Sequence, residues 1–196
     1  MTETPPPMGP AQRRGRLTRQ AAGVAVLLLA AGAGVGLSFL FFHDSGSSST
    51  TTRTATVTPI GPIAATPETL SAFGKALGRP IYWAGAIPGD RYEFTETSSG
   101  NIFVRYLPQG VAVGDKRASF LVIGTYPYRS ALKALQAVAK GKGVALQGGG
   151  LAFASPGHPE SVHLAYPGLD YQIEVYDPVP NRARALALSG GVKPIG

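Results

Sequence analysis

The sequence predicts an α+β domain with a mostly antiparallel sheet and about three helices packed on it, preceded by one transmembrane helix and a disordered linker. Three observations carry this prediction. Residues 21–42 carry no charge, residues 43–66 are rich in Ser, Thr and Pro, and residues 67–196 hold short strand patterns with helices only at the ends of groups. Short, hairpin-linked strands favour an antiparallel sheet over a parallel α/β fold.

Residues 1–20 form a basic tail, with four arginines against Glu3. Positive charge next to a membrane span stays in the cytoplasm, so the tail is predicted to be cytoplasmic and the C-terminal domain to lie outside the cell. The topology-determining side chains are Arg13, Arg14, Arg16 and Arg19.

Residues 21–42 have only Ser38 as a polar side chain. At ~1.5 Å per residue these 22 residues span roughly the hydrocarbon core of a bilayer, which predicts a single-pass signal-anchor in the cell membrane. The alternative is a signal peptide cleaved after Ala33. Cleavage there would expose "GVGLSFLFF" to water, at a cost of ~0.8 kcal/mol per methylene, which favours retention in the bilayer.

Gly32 and Gly36 form a G-x-x-x-G pattern within this span. Small residues at this spacing let two membrane helices approach closely, so one interpretation is a homodimer through the transmembrane helix. The other interpretation is that an Ala/Gly-rich span acquires the spacing by chance.

Residues 43–66 have few groups to bury and are predicted to be a disordered, extracytoplasmic Ser/Thr/Pro-rich tether. The predicted domain, residues 67–196, then opens with a helix in "TPETLSAFGKALG". Thr66 is the expected N-cap, Pro67 fits the first helical position and Gly78 ends the helix. One face of this helix is apolar and carries Leu70, Phe73 and Leu77.

A β-hairpin is predicted in "RYEFTETSSGNIFVRYL", where "SSGN" marks the turn between two alternating segments. If Phe94 lies opposite Val104, then Glu93 lies opposite Arg105. We expect that second pair on the solvent face, where it fixes the register.

The elements that follow complete two halves of the domain, each of which could be four strands plus a helix. "ASFLVIGTY" is a buried strand followed by a helix in "YRSALKALQAVAKG", while "GVALQ", "LAFA", "SVHLAY" and "DYQIEVY" are strands followed by a helix in "DPVPNRARALALSG". Asp177 is the expected cap of the last helix, and Gly190 follows its end. An internal duplication would explain the repeated order, and generic α+β segmentation is the alternative.

No catalytic residue, metal site or cofactor is predicted. His163 lies on the polar side of its strand, opposite Glu174, which is typical of a surface pair. A metal site built from His158, Glu160 and His163 is disfavoured because a turn leading into a strand does not point such donors at one centre. The serines lack the G-x-S-x-G context of a nucleophile elbow.

The segment "RPIYWAGAIPGDRY" places Tyr82, Trp83 and Arg91 near loops. These residue types are enriched in binding patches, so they are the candidate binding residues. The alternative is that the aromatic side chains belong to the core of the sheet.

The charge of the chain does not predict a nucleic-acid surface. The formal net charge is +7, but residues 67–196 hold thirteen Lys/Arg against nine Asp/Glu, and Lys116-Arg117 is the longest basic run. We therefore expect no nucleic-acid partner. The absence of cysteine excludes disulfides and thiolate chemistry.

The closing "YQIEVYDP" with its helix, and the layout of anchor, tether and outer domain, resemble small outward-facing domains of unknown function in single-pass envelope proteins of high-GC bacteria. The resemblance carries no functional motif. The sequence favours an interaction or sensing module that contacts the lipid bilayer and an envelope protein, peptide or wall polymer. An envelope hydrolase with a site that the sequence does not reveal is the alternative.

Overall fold

The computed structural model describes residues 60–179 and 181–195. The predicted tail, transmembrane helix and most of the linker lie outside these residues, and so do the topology-determining arginines, Gly32 and Gly36. No helix within the described ranges is long and apolar enough to cross a membrane. The single-pass anchor at 21–42 therefore stays a prediction.

The described chain forms an eight-stranded sheet, a two-stranded sheet and three α-helices, which confirms the α+β class and the antiparallel sheet. The large sheet has the order β1-β3-β4-β5-β9-β8-β7-β6, and every neighbouring pair is antiparallel; β2 and β10 form the small sheet. The strands are β1 (Ile60–Ala65), β2 (Ile81–Trp83), β3 (Asp90–Glu96), β4 (Ile102–Pro108), β5 (Val122–Pro127), β6 (Val144–Ala145), β7 (Leu151–Phe153), β8 (Ser161–Ala165), β9 (Tyr171–Tyr176) and β10 (Lys193–Ile195). The helices are α1 (Pro67–Leu77), α2 (Ala131–Ala139) and α3 (Arg182–Leu188).

Helix α1 follows its local signals. The Thr66 Oγ1 atom accepts a hydrogen bond from the Thr69 N–H at 3.2 Å, and Gly78 adopts a left-handed conformation (φ 62°) that ends the helix. Leu70 is fully buried, and Phe73 and Leu77 pack against the same core. The predicted cap, stop and apolar face are all confirmed.

The β3–β4 hairpin has the predicted register, with Phe94 opposite Val104 and Glu93 opposite Arg105. The predicted solvent exposure of the second pair is wrong, because Glu93 is only 2 % exposed. Residues 109–121 fold back over this part of the sheet, and the Gly114 N–H donates to Glu93 Oε2 at 2.6 Å. The pair is therefore a buried ion pair beneath that segment.

Other elements pack on both faces of the sheet. On one, which we call the core face, α1, the small sheet and α3 bury a single apolar cluster. On the other, which we call the α2 face, α2 covers β7 and β8 and residues 109–121 cover part of β3, β4 and β9. One cross-strand row on the α2 face consists of Thr95, Phe103, Gly124, Glu174, His163 and Phe153.

Two elements differ from the sequence expectation. Strand β1 lies within the segment predicted as linker (43–66) and pairs Ile63 with Phe94, so the folded part reaches back to residue 60. Helix α3 begins at Arg182 rather than at the predicted cap. The Asp177 carboxylate instead accepts from the Val179 N–H at 2.8 Å and pairs with Arg182 Nε at 3.1 Å, so it closes the turn ahead of the helix.

The strand order is symmetrical about the β5–β9 pair, with β1-β3-β4-β5 on one side and β6-β7-β8-β9 on the other. The helices do not follow this symmetry, since α2 contacts β7 and β8 while α3 contacts β8 and β9. The internal duplication stays a prediction.

Candidate functional site

The loop of residues 84–89, which we call the β2–β3 loop, is attached to the sheet by two tyrosine hydroxyls. Tyr106 Oη accepts from the Ala84 N–H at 2.7 Å and donates to the Gly85 carbonyl at 3.2 Å. Tyr92 Oη accepts from the Ile87 N–H at 3.1 Å. Three bonds to two buried side chains hold the loop backbone in one conformation.

An aromatic ladder runs from the core to this loop. The Tyr92 and Tyr106 rings meet edge to face at 5.2 Å, and the half-buried Trp83 ring meets Tyr92 in the same way at 5.9 Å. Burial raises the pKa of Tyr106, which keeps its hydroxyl protonated and able to donate. Trp83 thus lies on a rigid aromatic support next to a fixed loop.

The other two candidate binding residues lie elsewhere. Tyr82 belongs to the core, and its N–H donates to Thr125 Oγ1 at 3.3 Å. Arg91 precedes Tyr92 on β3, so it points to the opposite face of the sheet, where its guanidinium donates to the Val111 carbonyl. The structure therefore joins Trp83 to the β2–β3 loop and separates it from Arg91.

A second group of polar side chains surrounds the Glu174 carboxylate on the α2 face. The Ser161 hydroxyl donates to Glu174 Oε1 at 2.5 Å and the Tyr126 hydroxyl donates to Oε2 at 2.6 Å. His163 lies directly opposite Glu174 on β8. Ser161, His163 and Glu174 are 2 %, 5 % and 3 % exposed, so the sequence-based expectation of a surface pair is wrong.

Helix α2 is the reason for this burial. It covers the polar side of β8 while α3 covers the apolar side, so all five residues of β8 are buried. Gly124 has no side chain, and a Cβ at this position would lie 2.7 Å from the Tyr126 ring. This vacant space lets Tyr126 lie over β5 and reach Glu174.

Burial also shifts the protonation of the cluster. It lowers the pKa of His163, although the Glu174 charge opposes this shift, and burial together with the Glu174 charge raises the pKa of Tyr126 well above 10. His163 Nδ1 is buried and has no hydrogen-bond partner among the described residues. The cluster thus combines an anionic acceptor, two hydroxyl donors and an imidazole held towards its neutral form.

The cluster has the residue types of acid–base chemistry, but the arrangement differs from that of a catalytic triad. The serine hydroxyl donates to the carboxylate directly, with no histidine between them. The sequence predicts that His163 lies opposite Glu174, but it does not predict that Ser161 and Tyr126 bond the same carboxylate. Their approach depends on Gly124 and α2, which carry no signal of this contact in the local sequence.

His158 and Glu160, the other members of the disfavoured metal site, bond each other at 3.2 Å in an exposed turn. Within residues 60–179 and 181–195 no group of three or more His, Asp or Glu side chains is arranged to hold a metal ion.

No protein-family model matches the chain, and neither the curated proteins nor the solved structures contain a significant match. The fold and the site therefore define a class and no narrower identity: an antiparallel α+β domain with a tyrosine-supported loop beside its single tryptophan.

Proposed function

We propose that the protein is a membrane-anchored, extracytoplasmic interaction or sensing module of the cell envelope, and that Trp83 and the β2–β3 loop bind an envelope protein, peptide or wall polymer. The observation that carries this proposal is the attachment of the loop to the Tyr92 and Tyr106 hydroxyls, next to a half-buried Trp83.

A loop whose conformation is already fixed before binding loses little conformational entropy when it binds a partner. Tryptophan adds a large contact area at a small entropy cost and is enriched in the residues that dominate binding energies. The combination supports recognition better than it supports catalysis, which needs titratable groups at an accessible position.

The cellular setting is part of the same proposal. The anchor at 21–42, oriented by the arginines of the basic tail, holds the domain outside the cell, and the Ser/Thr/Pro-rich tether separates it from the bilayer. Close approach of Gly32 and Gly36 from two chains forms the dimer that the G-x-x-x-G pattern suggests.

The binding site is tested by replacing exposed residues with a photo-activatable amino acid in the full chain, in its own cell membrane. A probe at Ala86, in the middle of the β2–β3 loop, is expected to give a discrete adduct. The matched probe at Ala185, exposed on α3, is expected to give none. Equal labelling at both positions, or none at Ala86, contradicts the proposal.

Trp83 provides a second measurement, because it is the only tryptophan of the chain. Any change in tryptophan emission on adding a peptide or glycan fragment therefore comes from the proposed site. We expect Trp83→Ala to abolish the Ala86 adduct under conditions where circular dichroism shows that the variant is folded, although its unfolding midpoint falls because the ring packs against the core. Persistence of that adduct would exclude Trp83 from the contact.

A second function, an envelope hydrolase, is favoured by one observation: the Ser161 hydroxyl lies within bonding distance of a buried carboxylate. Here Glu174 would accept the serine proton once α2 or residues 109–121 moved aside. Ser161→Ala would then abolish ester hydrolysis while Ser155→Ala, an alteration of a half-buried serine nearby, would not. Absence of hydrolysis by the unaltered full chain, across acyl esters of different length, contradicts this alternative.

A further inference from the structure

The charge of the domain is divided unevenly between its two sides. The α2 face, with α2, its flanking residues and residues 109–121, carries eight Lys/Arg against four Asp/Glu. The rest of residues 67–196 carries five of each. Most of the Lys/Arg residues therefore belong to one side of the molecule, and the Glu160 carboxylate lies near Tyr176 at the edge of that side. The basic residues of this side are Arg91, Arg105, Lys116, Arg117, Arg129, Lys133, Lys140 and Lys142.

Most of these bases have no carboxylate close to them. Within the described chain Arg105 pairs with Glu93 and Arg117 pairs with Asp115, while the other six form no ion pair. Two of the four carboxylates on this side, Glu93 and Glu174, are buried and bonded internally. Exposed basic side chains attract anions when the nearby carboxylates are buried and already hydrogen-bonded.

The helix arranges part of this charge in a line. Lys133 and Lys140 are seven residues apart, which places them on one side of α2 and its C-cap, and both are exposed. Arg129, also exposed, precedes the left-handed Ser130 (φ 56°) ahead of the helix. Lys142 follows after the helix ends. From Lys133 to Lys140 the charge extends roughly 10 Å along the helix axis at ~1.5 Å per residue.

A second basic segment lies on the same face, on the other side of the sheet surface that α2 leaves uncovered. Lys116 and Arg117 are exposed on residues 109–121, and the Arg117 guanidinium lies over the Phe120 ring at 5.5 Å. Arg105 lies over the same ring at 5.2 Å. Stacking restricts the positions of these guanidinium groups, which pair with Glu93 and Asp115. The exposed Lys116 is the base of residues 109–121 that forms no ion pair with another described residue.

Between α2 and residues 109–121 the sheet exposes aromatic side chains. Phe103 and Tyr126 are half-buried and meet edge to face at 5.7 Å, and Gly124 lies between them in the strand register without a side chain. Gln172 and Thr95, also half-buried, lie beside them and can hydrogen-bond. Phe103 and Tyr126 form an aromatic floor, which is bordered by polar side chains and lies between the basic residues of α2 and those of residues 109–121.

We infer that this surface binds a linear anionic glycan, a sugar chain that carries carboxylate or phosphate groups. The bases neutralise the acidic groups along the chain, and the Phe103 and Tyr126 rings contact the apolar faces of the sugars. A flat bilayer would touch α2 and residues 109–121 but would not reach the floor between them. The surface is separate from Trp83 and the β2–β3 loop, so its test does not depend on that site.

The experiment uses the full chain in a non-ionic polyoxyethylene detergent and labelled polygalacturonate as the probe. We expect saturable binding that weakens as salt is raised, and no binding of neutral dextran of the same length. Lys133→Glu with Lys140→Glu should weaken binding by roughly tenfold or more. The matched control is Arg184→Glu with Lys193→Glu, which changes the net charge equally on exposed residues elsewhere and should leave the affinity nearly unchanged.

The floor is tested by Phe103→Leu, which keeps an apolar side chain and removes the ring. It should weaken polygalacturonate binding by roughly fivefold and leave inorganic polyphosphate, which has no sugar face, unaffected. Trp83→Ala should change neither the binding of polygalacturonate nor the binding of polyphosphate.

Four outcomes overturn the inference. If both double charge-reversal variants lose the same affinity for polygalacturonate, net charge alone determines binding. If dextran binds as tightly as polygalacturonate, the surface does not recognise the acidic groups. Tighter binding of oligo(dT) assigns the surface to nucleic acid. Loss of polyphosphate binding in Phe103→Leu shows that the ring supports the fold rather than the ligand.

Discussion

The buried Tyr106 hydroxyl makes two of the three side-chain bonds that join the core to the candidate binding loop. Tyr106 is 2 % exposed, and its oxygen both accepts from Ala84 and donates to Gly85, two neighbouring residues of one loop. The strand residue thus determines the loop conformation directly. A phenylalanine at this position would keep the aromatic ladder and remove both bonds.

We therefore predict that Tyr106→Phe lowers the free energy of unfolding by about 1–3 kcal/mol, since each net hydrogen bond contributes roughly 0.5–1.5 kcal/mol. The emission of Trp83 should also change in the folded state, because the loop beside it is released. Urea unfolding followed by fluorescence measures both effects. Tyr171→Phe is the control, since the Tyr171 hydroxyl bonds no residue in the described part of the chain; an equal effect there contradicts the prediction.

His163 makes the stability depend on pH. Burial lowers its pKa, with an opposing contribution from Glu174, whereas the unfolded side chain titrates near pH ~6.5. Below that pH the unfolded chain binds a proton that the folded chain resists. The contribution of His163 to stability is therefore complete above pH ~6.5 and is lost as the pH falls towards the folded pKa.

The measurement is the urea midpoint at pH 7.5 and at pH 5.5. We predict that His163→Asn reduces the difference between the two midpoints, because the variant has no titrating group at this position. His158→Asn removes a histidine from an exposed turn and should leave the difference unchanged. A larger effect from His158 than from His163 would assign the pH dependence to the turn.

Elements with strong local signals were predictable from the sequence. The Thr66 cap, the Gly78 stop and the "SSGN" turn act within a few residues of the structure that they determine. The same holds for the opposition of His163 and Glu174, which follows from strand alternation and the position of one turn. Local chemistry is sufficient to specify such features.

Features that depend on distant elements were not predictable. Strand β1 has the sequence "IGPIAA", in which Gly and Pro disfavour a strand, and its pairing with β3 provides the hydrogen bonds that the local sequence does not favour. The alternating patterns of β3, β8 and β9 show which residues share a face, but not that α2 and residues 109–121 cover the polar face. Hence the candidate polar cluster was assigned to solvent.

A further prediction concerns the ion pair between Glu93 on β3 and Arg105 on β4. Arg105→Met leaves the buried Glu93 carboxylate without its guanidinium and should cost about 3 kcal/mol of unfolding free energy. Glu93→Gln combined with Arg105→Met should cost less than the sum of the single changes, because the two side chains act as one unit. Urea unfolding of the three variants measures the coupling.

The exposed Asp115–Arg117 pair, in the segment that covers Glu93, is the control for this cycle. Its coupling should be much smaller than that between Glu93 and Arg105, as for other solvated ion pairs. Additive costs at Glu93 and Arg105 would show that residues 109–121 do not exclude water from the pair.

At the scale of the molecule, the β5–β9 pair and α2 connect the two halves of the strand order. Helix α2 follows β5 in the chain but packs on β7 and β8 of the other half, so neither half completes its own packing. Proper function of either proposed surface then requires the whole domain. It also requires the domain to lie where an envelope ligand can reach it, and that position depends on residues 21–42.

We predict that the full chain sediments with the membrane fraction and stays there through a high-salt wash, because 22 uncharged residues in a bilayer are held by apolar transfer energy rather than by charge. Removing residues 21–42 should release the protein to the soluble fraction, whereas removing residues 43–59 should not. Release of the full chain by salt, or a mature N-terminus near residue 34 by mass spectrometry, would replace the anchor with a cleaved signal peptide and leave the domain free of the membrane.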